Sequence, residues 1–419
     1  MSTKGVLISK GKVGANISGQ PFRTSALLTT GIAVAGLVLG QVYALSNIND
    51  ADALGLNPAY DTTNNVVVYE HVSEFFRTSG GGAKLFLMVA PQATPLADLF
   101  ESVAFAKKLI TEAKGEIYNL AVGFNPAVGY VPTLVDGLNA DVRAAILKAQ
   151  TLYTWADENF MPLQIVLEGR GYAGPAATAL DLRAIPGTPS GILEADKVSL
   201  VIGQDYDFAA TLTGHAQKYA AIGTALGNVA AVELNANIAE VDTQNITNEQ
   251  RGKFTQAGLS SHQKVEAVQA DWETLDAKGY IFPMLYTGIS GYRWNDNATC
   301  TPVIVDSEGN MNEHTQGYGR TLDYCKRELR KALLPWVKSV KPVNAVTGKL
   351  AIGIVKEMES TGDEVFERMQ SMGWLSAGKT FVDKDSDVLV SKIVNISFVA
   401  VPYGTIGEIR GTINLKIRS

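Results

Sequence analysis

Between residues 65 and 300, short apolar runs alternate with stretches of helical periodicity. Val66–Phe76 is spaced as a helix and Ala83–Val89 as a buried strand. Pro95–Lys114 follows as a helix, Tyr118–Phe124 as a strand, Ala140–Glu158 as a helix and Leu163–Gly169 as a strand. A further strand is predicted over Ser199–Asp205, then a long helix of small residues around His215–Leu234. Short unbroken apolar runs mark strands buried on both faces, and the periodic stretches between them supply crossovers. The order predicts an α/β sheet with helices packed on it.

Beyond Gly291 the pattern changes. Tyr318–Val340 places Leu322, Leu329, Leu333 and Leu334 on one side of a helix with charge elsewhere, and Ile352–Met372 is a charge-rich helix or helix pair. The chain ends in β character. Ile409, Gly411, Ile413, Leu415 and Ile417 alternate with Glu408, Arg410, Thr412, Asn414, Lys416 and Arg418, the cleanest period of two in the sequence. Near the other end, Val6, Leu7 and Ile8 form a detached β-like run between Gly5 and Gly11. A long terminal strand presents backbone groups that must pair. Two arrangements satisfy them: closure of a sheet within one subunit, or exchange of strands between subunits.

Thr24–Asn49 carries no charge and includes the run AVAGLVLG at 33–40. A membrane-spanning helix needs about 20 mostly apolar residues. Here Thr29, Thr30, Gly31, Gly36, Gly40 and Gln41 interrupt the run, and strands turning at glycines fit it better. The opening MSTKGVLISKGK has lysines with no apolar core behind them, so it does not read as a secretory signal.

At 419 residues the chain exceeds the size at which one core usually stops growing, so two or three packed regions are expected. Charged residues are only 19%, which suggests a surface largely covered by other subunits. A net charge of −6 supplies no basic field for nucleic acid. The two cysteines, Cys300 and Cys325, and the four histidines show no zinc spacing, and the cysteines read as buried or idle thiols in a reducing compartment.

Gly373–Thr380 (GWLSAGKT) matches the phosphate-loop pattern, but that chemistry needs a strand before the loop and a helix after it. Here a charged helix precedes it and a turn-rich run comes after. Asp383, Asp385 and Asp387 begin like a calcium loop, yet Val388 and Val394 stand where Gly and a bidentate Glu are required. Ser79–Gly82 is read as a flexible turn, and His71 with Glu74 lacks the second histidine of a zinc protease. The sequence offers no catalytic constellation and implies no cofactor or metal, which argues against an enzyme.

Several segments, in this order, resemble the sheath subunit of contractile tails, a family shared by contractile-tailed phages and related injection systems. They are QVYALSNINDADALGL at 41–56, AAIGTALGNVA at 220–230 leading to NANIAE at 235–240, and GYRWNDNAT at 291–299. GYGRTLDYCKREL at 317–329 and the closing Ile393–Ile417 complete the set. The resemblance implies a mixed α+β and α/β fold with a discontinuous inner domain from both chain ends. Its expected parts are an N-terminal β arm (1–20), an inner tube-facing domain (21–64 and 300–405), a middle or outer α/β domain (65–299) and a C-terminal strand arm (406–419).

It also implies a helical homopolymer around an inner tail tube, contracting to drive the tube through an envelope. Expected partners are further copies, the tube protein, and baseplate and tail terminator proteins, with no nucleic acid and no membrane insertion. The expected location is a virion tail or contractile injection particle assembled in the bacterial host cytoplasm. Val6, Leu7, Ile8, Ile409, Ile413, Leu415 and Ile417 become candidate inter-subunit strand residues, and Lys356, Glu357 and Glu359 candidate tube contacts. Alternatives are another ring or baseplate component, or a phosphate-loop NTPase, which the setting of Lys379 disfavours. No long outer insertion resembles those of larger family members.

Overall fold

The computed structural model describes residues 20–187, 191–413 and 415. A six-stranded sheet forms its body, from β1 (Ser25–Gly31), β2 (Val42–Leu45), β3 (Leu85–Pro91), β4 (Asn119–Val122), β5 (Gln164–Glu168) and β6 (Val198–Val201). The order across the sheet is β2-β3-β1-β4-β5-β6. All neighbours are parallel except the β2–β3 pair at one edge. Strands of a parallel sheet are covered on both faces, so they read as unbroken apolar runs. Residues 85–90 (LFLMVA) are all buried, and Leu27 in β1 sits between Leu87 of β3 and Ala121 of β4.

Residues 21–64, expected to join 300–405 in an inner domain, instead supply β1 and β2 to this sheet. β1 lies inside it, its seven consecutive buried residues pairing with β3 along their whole length and the first four also with β4. β1 and β2 do not pair with each other, because β3 runs between them.

The longest helices among the described residues are α1 (Tyr69–Thr78), α2 (Ala140–Glu158), α3 (Ile222–Ala231), α4 (Gln316–Leu333) and α5 (Ile352–Ser371). The α1–α3 contact explains the small residues of the AAIGTALGNVA segment. A Cβ on Gly223 would lie 2.2 Å from the His71 carbonyl oxygen, and one on Gly227 would lie 2.7 Å from that of Phe75. Asn47 caps the short helix Ile48–Ala53 in a capping box with Asp50, whose carboxylate accepts the Ser46 N–H at 2.7 Å.

Four predicted elements are shorter or broken. Pro95–Lys114 splits into Leu96–Glu101 and Ala106–Glu112, because Ser102 turns extended and its hydroxyl accepts the Ala104 N–H. Ser199–Asp205 divides at Ile202. Gly203–Asp205 joins a separate three-stranded sheet, and Gly203 passes where a Cβ would lie 2.2 Å from Pro283. The helix around His215–Leu234 contracts to α3, preceded by a 3-10 turn at Ala216–Lys218. The helix expected to reach Val340 ends at Leu333 and passes into a 3-10 turn containing Pro335.

α4 and α5 pack together under a hairpin of β7 (Leu375–Val382) and β8 (Ile396–Pro402). A second core joins this unit to the body through Phe22, Leu234, Tyr324, Phe366, Met369 and Trp374. The Trp374 ring meets Phe22 and Tyr324 edge-on, at 5.3 and 5.2 Å between centroids. α5 lies close on β7 because both present glycine: a Cβ on Gly378 would lie 2.4 Å from the Phe366 ring.

A candidate assembly surface at the terminal hairpin

β7 and β8 form a sheet of two strands, and the outer edge of β8 has no strand partner among the described residues. One face of the hairpin is covered by α5, with Thr380 buried against Gly362. The rest is open: Phe398, Val399 and Val401 on β8 are exposed, Val399 by 52%. Unpaired backbone edge beside exposed β-branched side chains is the arrangement that recruits another strand.

The long terminal strand expected from the alternating pattern is not formed among the described residues. Residues 403–413 are in no regular element, and Ile409, Ile413 and Leu415 stand outside every core, Ile413 by 94%. The physical reason is that a strand is held by ladder bonds to a neighbour, and no segment of the described chain lies alongside. Val6, Leu7, Ile8 and Ile417 lie outside the described residues.

The three candidate tube contacts sit on α5 but do not act alike. Lys356 and Glu357 are exposed. Glu359 is turned toward the hairpin, where its carboxylate accepts the Val382 N–H at 3.3 Å and holds the Lys356 ammonium at 2.6 Å. These bonds from Lys356 and from Val382 keep its carboxyl below the usual range.

Gly373–Thr380 is no phosphate loop. β7 runs through it, Gly378 pairs with Ala400 and Lys379 with Val399, and the Lys379 ammonium is ion-paired to Asp363. The Asp383–Asp387 turn is held by its own backbone: the Asp387 carboxylate accepts N–H bonds from Leu389, Val390 and Ser391 at 3.0 Å each. Glu74 pairs with Arg77 and accepts from the Thr224 hydroxyl. His71 is wholly buried beneath α3, and that burial, reinforced by Arg170, pushes its pKa down to about 3, leaving a neutral ring. Cys300 and Cys325 are buried thiols, each pushed up to about 12 by burial.

Sequence reasoning missed the polar seam that locks α4 to the body. The buried Lys197 ammonium donates to Asp323 Oδ1 at 3.0 Å and to the Gly319 carbonyl at 3.1 Å. The Tyr153 hydroxyl donates to the same Asp323 oxygen, and Lys326 pairs with Asp157 at 2.9 Å. Arg327 donates to the carbonyls of Gly115, Ile117 and Pro162, beside the ends of β4 and β5. Burial pulls the Lys197 pKa down, but Asp323, Glu313 and Asp196 together lift it above its ordinary value, so the ammonium stays charged. No local pattern announces these contacts, because each partner lies more than a hundred residues from the other.

The segments carrying the sequence resemblance have structural roles of the same kind. Trp294 of GYRWNDNAT is fully buried and its indole N–H donates to Asn228 Oδ1 on α3 at 3.0 Å. Arg320 of the Arg-bearing helix reaches the Glu233 carbonyl. No helix among the described residues is long and apolar enough to cross a membrane.

Comparison with known proteins agrees with this architecture. The chain aligns with a chain of the cryo-EM structure of the anti-feeding prophage baseplate over 100% of both, at 15% identity and a TM-score of 0.59. It aligns with the helical sheath of the same prophage in the contracted state over 99% of both chains, at 15% identity and a TM-score of 0.55. The contracted PVC sheath complex, of an extracellular contractile injection system, matches 100% of this chain and 98% of its own, at 10% identity and a TM-score of 0.56. No curated protein matches the sequence. At these identities the shared property is the fold, and it is that of the sheath proteins of contractile injection systems. A family model described as the N-terminal domain of DUF2586 matches residues 17–298, well over half of the sequence, and the chain therefore belongs to the DUF2586 family.

Proposed function

We propose that this chain is the structural subunit of a contractile sheath, polymerising helically around an inner tube and contracting to drive that tube through a target envelope. The observation that carries the proposal is a full-length sheath fold ending in an unpaired β8 edge and an alternating apolar tail with no intrachain partner among the described residues. The tail residues Ile409, Ile413, Leu415 and Ile417, with Val6, Leu7 and Ile8, supply strands that pair with the hairpin of neighbouring subunits. Residues 300–405 face the tube, with Lys356, Glu357 and Glu359 of α5 at the contact, and the six-stranded body faces outward.

Contraction is then a change between two lattice packings of rigid subunits, with shared strands as hinges. A difference of a few kcal/mol per subunit, summed along the polymer, drives the stroke without nucleotide hydrolysis. The partners are further copies, the tube protein, and baseplate and terminator proteins, within a tail particle put together in the bacterial host cytoplasm. A second reading, a ring component of a baseplate, is favoured by the equally complete match to a chain of a baseplate complex. Sedimentation separates the two: a sheath subunit gives open-ended assemblies of broad size, a ring component one closed oligomer.

A further inference from the structure

Two grooves meet at the C-terminal end of α4. One of about 470 Å3 lies between Phe160, Leu334 and Phe398, and the other, of about 700 Å3, between Trp336, Leu389 and Ile396. They adjoin at Leu333 and Val337, which line both. The floor is apolar and open to solvent, with Val337 exposed by 63%.

The rim inverts the charge of the molecule. The whole chain has 42 acidic against 36 basic residues. The grooves are lined by Lys326, Arg327, Arg330, Lys338, Lys341 and Lys392 against one carboxylate, Asp157, already paired with Lys326. Arg327 is engaged by backbone carbonyls. The other four make no ion pair among the described residues. Two of them rest on aromatic faces instead: Arg330 lies 3.4 Å from the Phe160 ring centroid and Lys341 lies 4.1 Å from that of Trp336. Unpaired cations around an apolar trough match a partner with carboxylates flanking an apolar stripe.

We propose that this trough docks an acidic amphipathic segment of another protein. Its carboxylates meet Arg330, Lys338, Lys341 and Lys392, and its apolar side chains cover Leu334, Val337 and Leu389. The chain's own ends do not suit it. Residues 1–19 carry Lys4, Lys10 and Lys12 with no acid, and residues 403–419 carry Arg410, Lys416 and Arg418 against Glu408 alone. A nucleic acid or an anionic bilayer would meet the cations but leave the recessed apolar floor uncovered. The inference stands apart from the sheath reading, since it concerns one surface of the single chain.

The test is fluorescence anisotropy of the full chain with a labelled helical peptide built from Glu and Leu, against a control peptide with Gln in place of Glu. The expected result is binding of the Glu peptide that weakens with added salt. The triple variant Lys338→Glu, Lys341→Glu, Lys392→Glu weakens it by roughly tenfold or more, while the corresponding Lys→Arg triple retains it. Circular dichroism checks the fold, and a Lys→Gln triple replaces the reversal if that variant does not fold. Equal binding of the Gln peptide, no binding of the Glu peptide, or no effect of the reversal overturns the proposal. Tighter binding to phosphatidylserine vesicles or to a single-stranded oligonucleotide than to the peptide, with the same sensitivity to the reversal, overturns it in favour of that class of partner.

Discussion

The ammonium of Lys197, just before β6, meets the carboxylate of Asp323 on α4 at 3.0 Å, and both side chains are buried. This contact ties the terminal unit to the sheet. Replacing Lys197 by Met leaves the buried Asp323 without its cationic partner, and is expected to cost about 3–5 kcal/mol of stability. The double variant Lys197→Met, Asp323→Leu removes both charges and recovers most of that loss. Urea unfolding of the two single variants and the double variant measures the coupling; additive losses would show the pair to be inert.

Gly378 is required by distance rather than by backbone conformation. Gly378→Ala puts a methyl group 2.4 Å from the Phe366 ring, and relieving that overlap is expected to cost roughly 1–3 kcal/mol. Gly404→Ala, where nothing lies within 4 Å, is the matched control and is expected to be neutral. Thermal unfolding of both variants decides it.

Acid weakens the fold through His71. Its pKa falls from 6.5 to about 3 on folding, so between those values the unfolded chain binds more protons than the folded one. Stability from this group is therefore complete above pH 6.5 and is lost as pH falls, at about 1.4 kcal/mol per pH unit. Buried Asp61, raised to about 6 by burial against the bonds it accepts from three N–H groups, acts in the opposite sense. The contribution of His71 is read as a difference: the stability–pH curve of His71→Gln is expected to be flatter than that of the wild type from pH 6.5 downward. Parallel curves would refute it.

The strands of the body and α2 were legible because burial on both faces leaves an unbroken apolar run, as in residues 85–90, and because α2 keeps one helical period from Ala140 to Glu158. The placement of β1 was not, since nothing local tells a central strand from an edge one. The break at Ser102 follows from a local side-chain hydrogen bond to the Ala104 N–H, and that at Ile202 from the packing of Gly203 under Pro283, a tertiary fact. Among candidate residues, the alternating pattern marked an apolar face on the tail, and Ile413 of that face stands exposed among the described residues. It also grouped Glu359 with Lys356 and Glu357, although Glu359 is held by the Val382 N–H. The groove cations at Lys338, Lys341 and Lys392 look like ordinary surface charge in sequence, and come together only when the hairpin folds back beside α4.

Tube recruitment tests the α5 contact. Lys356→Glu with Glu357→Lys preserves net charge while inverting its order on the exposed face, and is expected to lower co-purification of an inner tube protein with assembled sheath. Glu359→Gln would in addition loosen the hairpin held through the Val382 N–H, lowering thermal stability. Unchanged recruitment in the first variant would remove α5 from the tube interface.

Negative-stain electron microscopy of the purified full chain, alone and co-expressed with a tube protein, tests the central claim most directly. The sheath account predicts hollow helical tubes, and their loss when residues 411–419 are deleted. Monomers or closed rings under both conditions would contradict it.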